Sequence, residues 1–264
     1  MRKVSDISEI SKLVMAQMKP GVFSNNFIQP DEYRQEIASG TLYAFDWDGG
    51  LLLLRQRKGL HLLTFYINDH NALPVVDLPD DTVLEITQKS PDDTSASAAV
   101  SYWTSFGFTS AFDRIRLTRP ARREPLHSSI SHEVRVASPD DLDRIYTLLY
   151  ESFDTLTGCL PLKSELLDDI IRGYVLCVVS DGEMCGVLRA SERKGVAEIR
   201  HLAVRHDLRG RGIARDLLSG FVEKFGEQKC IVWMRDGYAP AFSLYANAGF
   251  TADGWRSTVM LIDC

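Results

Sequence analysis

Two glycines and two arginines alternate in the second half of the sequence, where an apolar strand pattern gives way to a helical pattern. They form the loop Arg209-Gly210-Arg211-Gly212-Ile213-Ala214. Glycine lets the backbone turn sharply and lets a ligand approach with no Cβ in the way. A helix start offers unpaired backbone N–H groups and the positive end of its dipole, which suits a phosphate or pyrophosphate. The loop is therefore a candidate anion site, although two glycines alone also suit an ordinary solvated loop.

The elements around this loop are indicated by hydrophobic spacing. Residues 196–204 alternate as a strand before it, and the helix after it is indicated by apolar residues at helical spacing, namely Ile213, Leu217, Leu218, Phe221 and Phe225. An apolar run, a turn and a returning run over residues 174–190 predict a hairpin. The predicted order for the second half is β-α-α-β-β-β-α-β-α-β. Helices that connect only some of the strands predict a mixed sheet.

The first half repeats part of this order. Strands are predicted over residues 42–47, 51–56, 60–67 and 82–87, and a helix is predicted over residues 98–106. Gly-Phe-Thr occurs at residues 107–109 and again at 249–251, at the same place in both orders, which predicts an internal duplication. Residues 69–81 hold two prolines and no glycine where the second half has its loop and helix. The first half is therefore predicted to lack the phosphate loop.

The charged, proline-containing stretch after Thr118 predicts a linker between the two halves. We place the first domain at residues 1–120, the linker at 121–131 and the second domain at 132–264.

Composition excludes several classes of protein. The chain has 264 residues and a net charge of −6, so it is a poor candidate for nucleic-acid binding. No apolar stretch has the length of a membrane span or the form of a signal peptide. Its five cysteines include no C-x-x-C pair and no zinc-site spacing, and we interpret them as reduced thiols. A cytoplasmic protein that binds no metal, membrane or nucleic acid is expected.

The loop and its flanks resemble the GNAT superfamily of N-acetyltransferases. Arg209-x-x-Gly212-x-Ala214 is similar to the family pattern Gln/Arg-x-x-Gly-x-Gly/Ala, and the resemblance extends through the Leu244-Tyr245 helix to cover residues 133–264. The resemblance implies an α+β fold with two GNAT-like mixed β-sheet domains flanked by helices. The N-terminal copy would lack the phosphate loop and its helix.

The resemblance also implies acyl-CoA as the donor, with acetyl-CoA expected. Backbone groups of the strand before the loop would bind the pantetheine arm, and the loop would hold the pyrophosphate. The implied cofactor-binding residues are Leu202, Ala203, Val204, Leu208, Arg209, Gly210, Arg211, Gly212, Ile213, Ala214 and Tyr245.

An amine must be neutral to attack a thioester, so a base is expected. Glu198 matches the position of the base in histone-acetylating members of the family. On an ideal strand it lies on the same side as Arg200, Leu202 and Val204. Glu198 also suits a surface strand position or an ion pair with Arg200. His201 and His206 are rival bases.

The departing thiolate needs a hydrogen-bond donor, and Tyr245 occupies the family's Leu-Tyr position. Its first-half counterpart is Trp103, a poor proton donor. Two positions depart from the family pattern: Tyr238 replaces a frequent asparagine, which puts that CoA contact in doubt, and His206 replaces a frequent proline.

These features predict an N-acyltransferase that moves acetyl to a primary amine in a ternary complex. A second domain can wall off the site, which favours a small-molecule amine over a protein tail. The alternatives are a non-catalytic CoA-binding or sensing protein and an amino-acid N-acyltransferase that uses longer acyl groups. The family's acceptor-specificity regions correspond to residues 151–165 and 250–255, where no motif is readable. The sequence does not predict the oligomeric state.

Overall fold

The computed structural model describes residues 1–26, 28, 30–89, 94–122 and 131–262. Residues 123–130 of the predicted linker therefore lie outside the described residues. The chain forms two compact units, one made of Met1–Asp113 with Arg256–Cys264 and the other of Arg114–Trp255.

The first unit is built on a mixed sheet with helices on both faces. Its helices are α1 (Ile7–Gln17), α2 (Pro30–Ser39) and α3 (Thr94–Phe106). Its strands are β1 (Arg2–Lys3), β2 (Phe23–Ser24), β3 (Leu42–Trp47), β4 (Gly50–Arg57), β5 (Leu60–Ile67), β6 (Thr82–Gln88) and the start of β7 (Phe108–Arg119). The continuous apolar run of β4 is explained by this layering. Leu52 and Leu54 join the core that contains α3, whereas Leu51 and Leu53 join the core that contains α1.

The parallel strands β5 and β6 separate after a short paired stretch. They pair at His61↔Thr82 and Leu62↔Val83. Beyond this point the side-chain amide of Asn25 lies between them. Its Nδ2 donates to Leu63 O on β5 (3.0 Å) and to Glu85 O on β6 (3.1 Å), and its Oδ1 accepts from Phe65 N (2.8 Å). One side chain therefore satisfies backbone groups that the diverging strands leave unpaired.

The second unit has the predicted order of elements. Its helices are α4 (Leu142–Ser152), α5 (Lys163–Ile171), α6 (Ile213–Phe225) and α7 (Ala239–Asn247). Its strands, besides the end of β7, are β8 (Arg135–Val136), β9 (Val175–Ser180), β10 (Glu183–Arg193), β11 (Val196–Val204), β12 (Lys229–Arg235) and the start of β13 (Thr251–Ile262). The sheet order is β7-β12-β11-β10-β9-β8. Among the neighbours in this order, β11 and β12 are parallel and the other pairs are antiparallel, so the predicted mixed sheet is confirmed.

The compact units differ from the predicted domains in two strand segments. Residues 114–119 of β7, placed by sequence in the first domain, pair antiparallel with β12 in the second unit. Residues 256–261 of β13, placed in the second domain, pair with β6 in the first unit. The alternation of a strand predicts its buried face but not the sheet it joins, so sequence pattern could not locate this exchange.

Apolar residues pack on both faces of the second unit's sheet. We call the core under α6 the α6 cluster, and the core under α4 and α5 the α4/α5 cluster. The α6 cluster includes Ala197, Ile199, Ile213 and Tyr245. The α4/α5 cluster includes Ile145, Val187 and Ala203.

Three further observations concern the described part of the chain. None of its helices is both long and apolar enough to cross a membrane. Its His, Cys, Asp and Glu side chains form no group of three or more that could hold a metal ion. Its cysteines Cys159, Cys177, Cys185 and Cys230 form no disulfide, and Cys264 lies outside the described residues.

Candidate active site

Strand β11 leaves its parallel neighbour β12 part-way along its length. The two strands pair over four residue pairs, from Val196↔Lys229 to Ile199↔Val232. β11 continues to Val204 and stays paired with β10 as far as Gly186↔Val204. Residues 200–204 therefore present a backbone edge beside a gap between two parallel strands, directly before the predicted phosphate loop.

The loop after β11 has a backbone that requires glycine. Gly210 has φ +79° and Gly212 has φ +90°, both in the left-handed region. A Cβ added to Gly210 would meet nothing within 4 Å, and one added to Gly212 would meet only Arg215 Nη2 at 3.6 Å. Glycine is therefore required at both positions by the backbone angle and not by crowding, since the space that a Cβ would enter is open.

Helix α6 starts immediately after this loop. Gly212 is its N-cap and offers no capping side chain, and the first intrahelical hydrogen bond runs from Asp216 N to Gly212 O at 3.0 Å. The N–H groups of the first turn remain available, as an anion site needs. Arg209, Arg211 and Arg215 are exposed beside them and add positive charge.

A glycine that sequence analysis missed sets the position of α6. A Cβ on Gly186 of β10 would lie 2.8 Å from Ile213 Cγ2 and 3.0 Å from Leu217 Cδ1. The first turn of α6 can therefore lie directly on the sheet only because Gly186 has no side chain. An isolated glycine inside an apolar strand was the available signal.

Most of the apolar residues among the predicted cofactor residues meet at one core. Leu202, Val204 and Leu208 pack against the α6 cluster, which contains Ile213 and Tyr245. Ala214 is half-buried in the first turn of α6. Ala203 is the exception, because its side chain joins the α4/α5 cluster on the other face of the sheet. Only its backbone lies along the gap.

Tyr245 is buried on α7. Its ring packs edge-on against Phe250, with centroids 5.7 Å apart. Burial raises the pKa of the Tyr245 phenol far above its ordinary value. The side chain is therefore a neutral hydroxyl, able to donate a hydrogen bond at any working pH. Tyr238, at the position of the family's asparagine, is exposed at the start of the same helix.

The predicted side for Glu198 is wrong. Ala197 and Ile199 face the α6 cluster, so Glu198 points to the opposite face. Arg189 pairs with His201 and Ala190 pairs with Ile199, which leaves Arg200 as an extra residue in a β-bulge. The bulge reverses the alternation, so Leu202 and Val204 face the α6 cluster while His201 and Ala203 face α4 and α5. Glu198 thus shares a face with His201 and not with Val204.

The Glu198 carboxylate forms an ion pair. Its Oε1 lies 3.0 Å from Arg200 Nη1, and the Glu198 side chain is 24% exposed. The predicted alternative, an ion pair with Arg200, is therefore present. The carboxylate still borders solvent on the sheet face that carries α4, α5 and their connecting loop.

The two rival histidines have different surroundings. His206 is exposed in the 3-10 turn that follows β11. His201 is buried, and burial together with the charge of Arg189 lowers its pKa to about 3. A histidine with so low a pKa holds an abstracted proton weakly, which makes His201 a poor base.

Arg116 of β7 contacts the second predicted specificity segment, residues 250–255. Arg116 Nε and Nη2 donate to Asp253 Oδ2 at 2.9 and 2.7 Å. The Arg116 guanidinium also lies over the Trp255 ring, 4.8 Å from its centroid. A residue from the first half of the sequence therefore orders this segment.

In the first unit, the counterpart of Tyr245 is a core residue. Trp103 is fully buried on α3 against Phe65 and Phe108. Its indole N–H has no hydrogen-bond partner within the described residues.

Known proteins resemble this chain in family sequence model and in fold. The sequence model of the acetyltransferase (GNAT) family matches residues 142–250. A search of curated proteins found no match. A GCN5-related N-acetyltransferase from Sphaerobacter thermophilus has a similar structure, with a TM-score of 0.60 and 15% identity over 98% of this chain and 93% of that one. A GNAT-family acetyltransferase from Colwellia psychrerythraea has a TM-score of 0.58 and 12% identity over 99% of both chains.

A tandem GNAT protein from the clavulanic acid biosynthesis pathway has a TM-score of 0.55 and 13% identity over 80% of this chain and 78% of that one. Identities this low show a shared fold and nothing about substrates. The family model identifies residues 142–250 of this chain as a domain of the acetyltransferase (GNAT) family, and the solved structures show that the chain shares the fold.

Proposed function

We propose that the protein is an acyl-CoA-dependent N-acyltransferase that transfers acetyl from acetyl-CoA to a primary amine of a small molecule, by direct attack in a ternary complex. The observation that carries this proposal is the gap beside residues 200–204, which opens where β11 leaves β12 and leads straight into the glycine loop at the start of α6.

The residues around this gap suit a coenzyme A arm and its pyrophosphate. The edge of β11 at Leu202 and Val204 can pair with the amides of an extended chain, as a neighbouring strand would, and the Val204 carbonyl there accepts a hydrogen bond from Arg209 Nε at 3.3 Å. The first-turn N–H groups of α6, with Arg209 and Arg211, suit a pyrophosphate. Acetyl-CoA supplies the acyl group as a thioester.

One such site per chain is proposed. In the first unit, Asn25 already bonds the backbone of both diverging strands, β5 and β6. Residues 69–81 supply no glycine loop or helix there. A coenzyme A arm would have to displace the three hydrogen bonds of Asn25 without gaining a phosphate site.

Glu198 is the proposed base. It must take a proton so that the amine can attack, and it lies on the face that carries the first predicted specificity segment, residues 151–165. We expect Glu198→Gln to lower kcat about 100-fold, because the amide cannot accept the proton. Steady-state kinetics with acetyl-CoA and a reactive amine measure this.

Arg200→Gln is the matched control for that variant. It breaks the 3.0 Å ion pair but keeps the carboxylate, so most of the turnover should remain. Full activity of Glu198→Gln would exclude Glu198 as the base and leave solvent or His206 in that role.

Tyr245 is the proposed donor to the leaving sulfur. The ordinary pKa of a tyrosine already lies above that of a thiol, and burial raises it further, so Tyr245 should stabilise the developing thiolate by a hydrogen bond rather than by complete proton transfer. We expect Tyr245→Phe to lower kcat about 10- to 100-fold while acetyl-CoA affinity stays nearly unchanged. Kinetics and calorimetric titration measure the two quantities.

Tyr174→Phe is a suitable control, because Tyr174 packs on the same α6 cluster and loses the same hydroxyl. If Tyr245→Phe only lowers the unfolding temperature, Tyr245 is a core residue without a chemical role.

Thiol release from acetyl-CoA with a panel of small amines tests the function as a whole. Coenzyme A binding without turnover of any amine would instead identify a binding or sensing protein. Faster turnover of succinyl-CoA or benzoyl-CoA than of acetyl-CoA would indicate longer acyl donors.

A further inference from the structure

The loop between α4 and α5, residues 153–162, is tightly folded. Asp154 Oδ1 accepts hydrogen bonds from Leu156 N (3.0 Å) and Thr157 N (2.9 Å), and Gly158 N donates to Asp154 O (2.8 Å). A Cβ on Gly158 would lie 2.4 Å from Asp154 O, so the turn has no room for a side chain there. We call this segment the α4–α5 loop.

Two consecutive carbonyl groups attach this loop to the sheet. Thr157 O accepts a hydrogen bond from Arg114 of β7. Gly158 O accepts one from His201 Nε2 of β11, at 2.9 Å. The His201 side chain therefore connects β11, the strand that borders the gap, to the α4–α5 loop. This loop lies on the same face of the sheet as Glu198.

The surroundings of His201 favour this hydrogen bond. Its side chain is 3% exposed and its ring lies edge-on to Phe153, with centroids 5.2 Å apart. A carbonyl can only accept, so Nε2 carries the hydrogen and Nδ1 carries a lone pair. That Nδ1 is buried without a hydrogen-bond partner in the described part of the chain. An apolar side chain would fill the same space without an unpaired acceptor, so what the imidazole adds is its Nε2–H.

We infer that His201 is a positioning residue for acceptor binding: its Nε2–H bond to Gly158 O fixes the α4–α5 loop as one wall of the amine site. This inference rests on the proposed function, since it presumes that an amine binds on this face of the sheet. It gives His201 no part in proton transfer.

The test compares His201→Leu with His201→Gln. Leucine fills the space without a donor, whereas the glutamine amide can place an N–H near the position of Nε2. For His201→Leu we expect the KM of the amine to rise about tenfold, as for one lost hydrogen bond, with acetyl-CoA affinity and kcat changed less than about threefold. His201→Gln should restore the wild-type KM. His61→Gln, in the first unit, is the control for replacing a partly buried histidine and should change neither quantity.

A second readout does not depend on turnover. Cys159 follows Gly158 in the loop and is half-buried, while Cys177, Cys185 and Cys230 are buried. We expect iodoacetamide to alkylate Cys159 faster in His201→Leu than in the wild type, and at the wild-type rate in His201→Gln. Peptide mass spectrometry separates Cys159 from the other cysteines.

The outcomes separate this inference from the proposed function. Unchanged amine KM and unchanged Cys159 alkylation in folded His201→Leu would overturn the inference. Loss of kcat in His201→Gln, with slow alkylation retained, would also overturn it, because His201 would then act as a proton acceptor. If no amine is turned over by the wild type, the proposed function fails, and a His201 effect on alkylation would then establish only loop anchoring and reject the acceptor role.

Discussion

Gly212→Asp is expected to abolish acetyl-CoA binding. The substitution places a carboxylate at the N-cap of α6, where the proposed site holds a pyrophosphate. The carboxylate would lie beside the first free N–H groups of the helix. Those are the donors that the pyrophosphate needs, so the new carboxylate competes with the ligand and also repels it. We expect at least about a 100-fold loss of affinity in calorimetric titration.

A matched variant separates this effect from backbone strain. Gly195, in the turn between β10 and β11, has φ +74° and nothing within 4 Å of an added Cβ. Gly195→Asp therefore carries a similar left-handed strain, of about 1 kcal/mol, at the end of β11 opposite to the loop. It should lower stability comparably, as seen by thermal unfolding, and leave acetyl-CoA affinity intact.

The same titration tests the number of sites. Wild-type protein should bind one acetyl-CoA per chain, because Asn25 fills the corresponding gap in the first unit. Residual binding by Gly212→Asp at wild-type affinity would show that the ligand sits elsewhere. It would contradict the loop assignment, whereas two acetyl-CoA molecules per wild-type chain would contradict the role of Asn25.

The backbone of the loop could be predicted because it is local. Glycines with positive φ, a helix start and flanking arginines all lie within residues 209–214, so the order of residues alone indicates the turn and makes it a candidate anion site. The order of elements in the second unit could also be predicted from the sequence, because helices and strands show different hydrophobic periods.

The features that could not be predicted all depend on distant partners. Arg200 becomes a bulge only through its register with β10, and the bulge moves Glu198 to the other face of the sheet. The role of Asn25 requires β5 and β6 to separate, and the role of His201 requires the loop at Gly158 to lie above it. Single-sequence periodicity contains none of these long-range pairings.

The fragment 132–264, the second domain as sequence alone defines it, is expected not to fold. It lacks residues 114–119 of β7, which pair with β12 from Arg114↔Arg235 to Arg119↔Cys230. Leu117 in this segment is fully buried in the α6 cluster. Arg119 Nε donates to Ala248 O at 3.2 Å, just after α7.

Loss of this strand removes both buried apolar contacts and backbone hydrogen bonds. Loss of the Leu117 side chain alone costs about 2–5 kcal/mol, against a total stability of about 5–15 kcal/mol for a domain. β12 would also become an edge strand with unpaired N–H and C=O groups beside an exposed apolar core, a state prone to aggregation. The fragment should therefore be insoluble or lack near-ultraviolet circular dichroism.

The fragment 114–264 restores the missing strand and is the control. It should give cooperative denaturant unfolding, with the near-ultraviolet signal of packed aromatic residues. Fragment 114–255 also omits residues 256–261, which pair with β6 in the first unit. It should therefore unfold at the same denaturant midpoint as fragment 114–264. If 132–264 unfolds cooperatively at the same denaturant midpoint as 114–264, the strand is dispensable. The second unit would then be the independent domain that its sequence alone suggests.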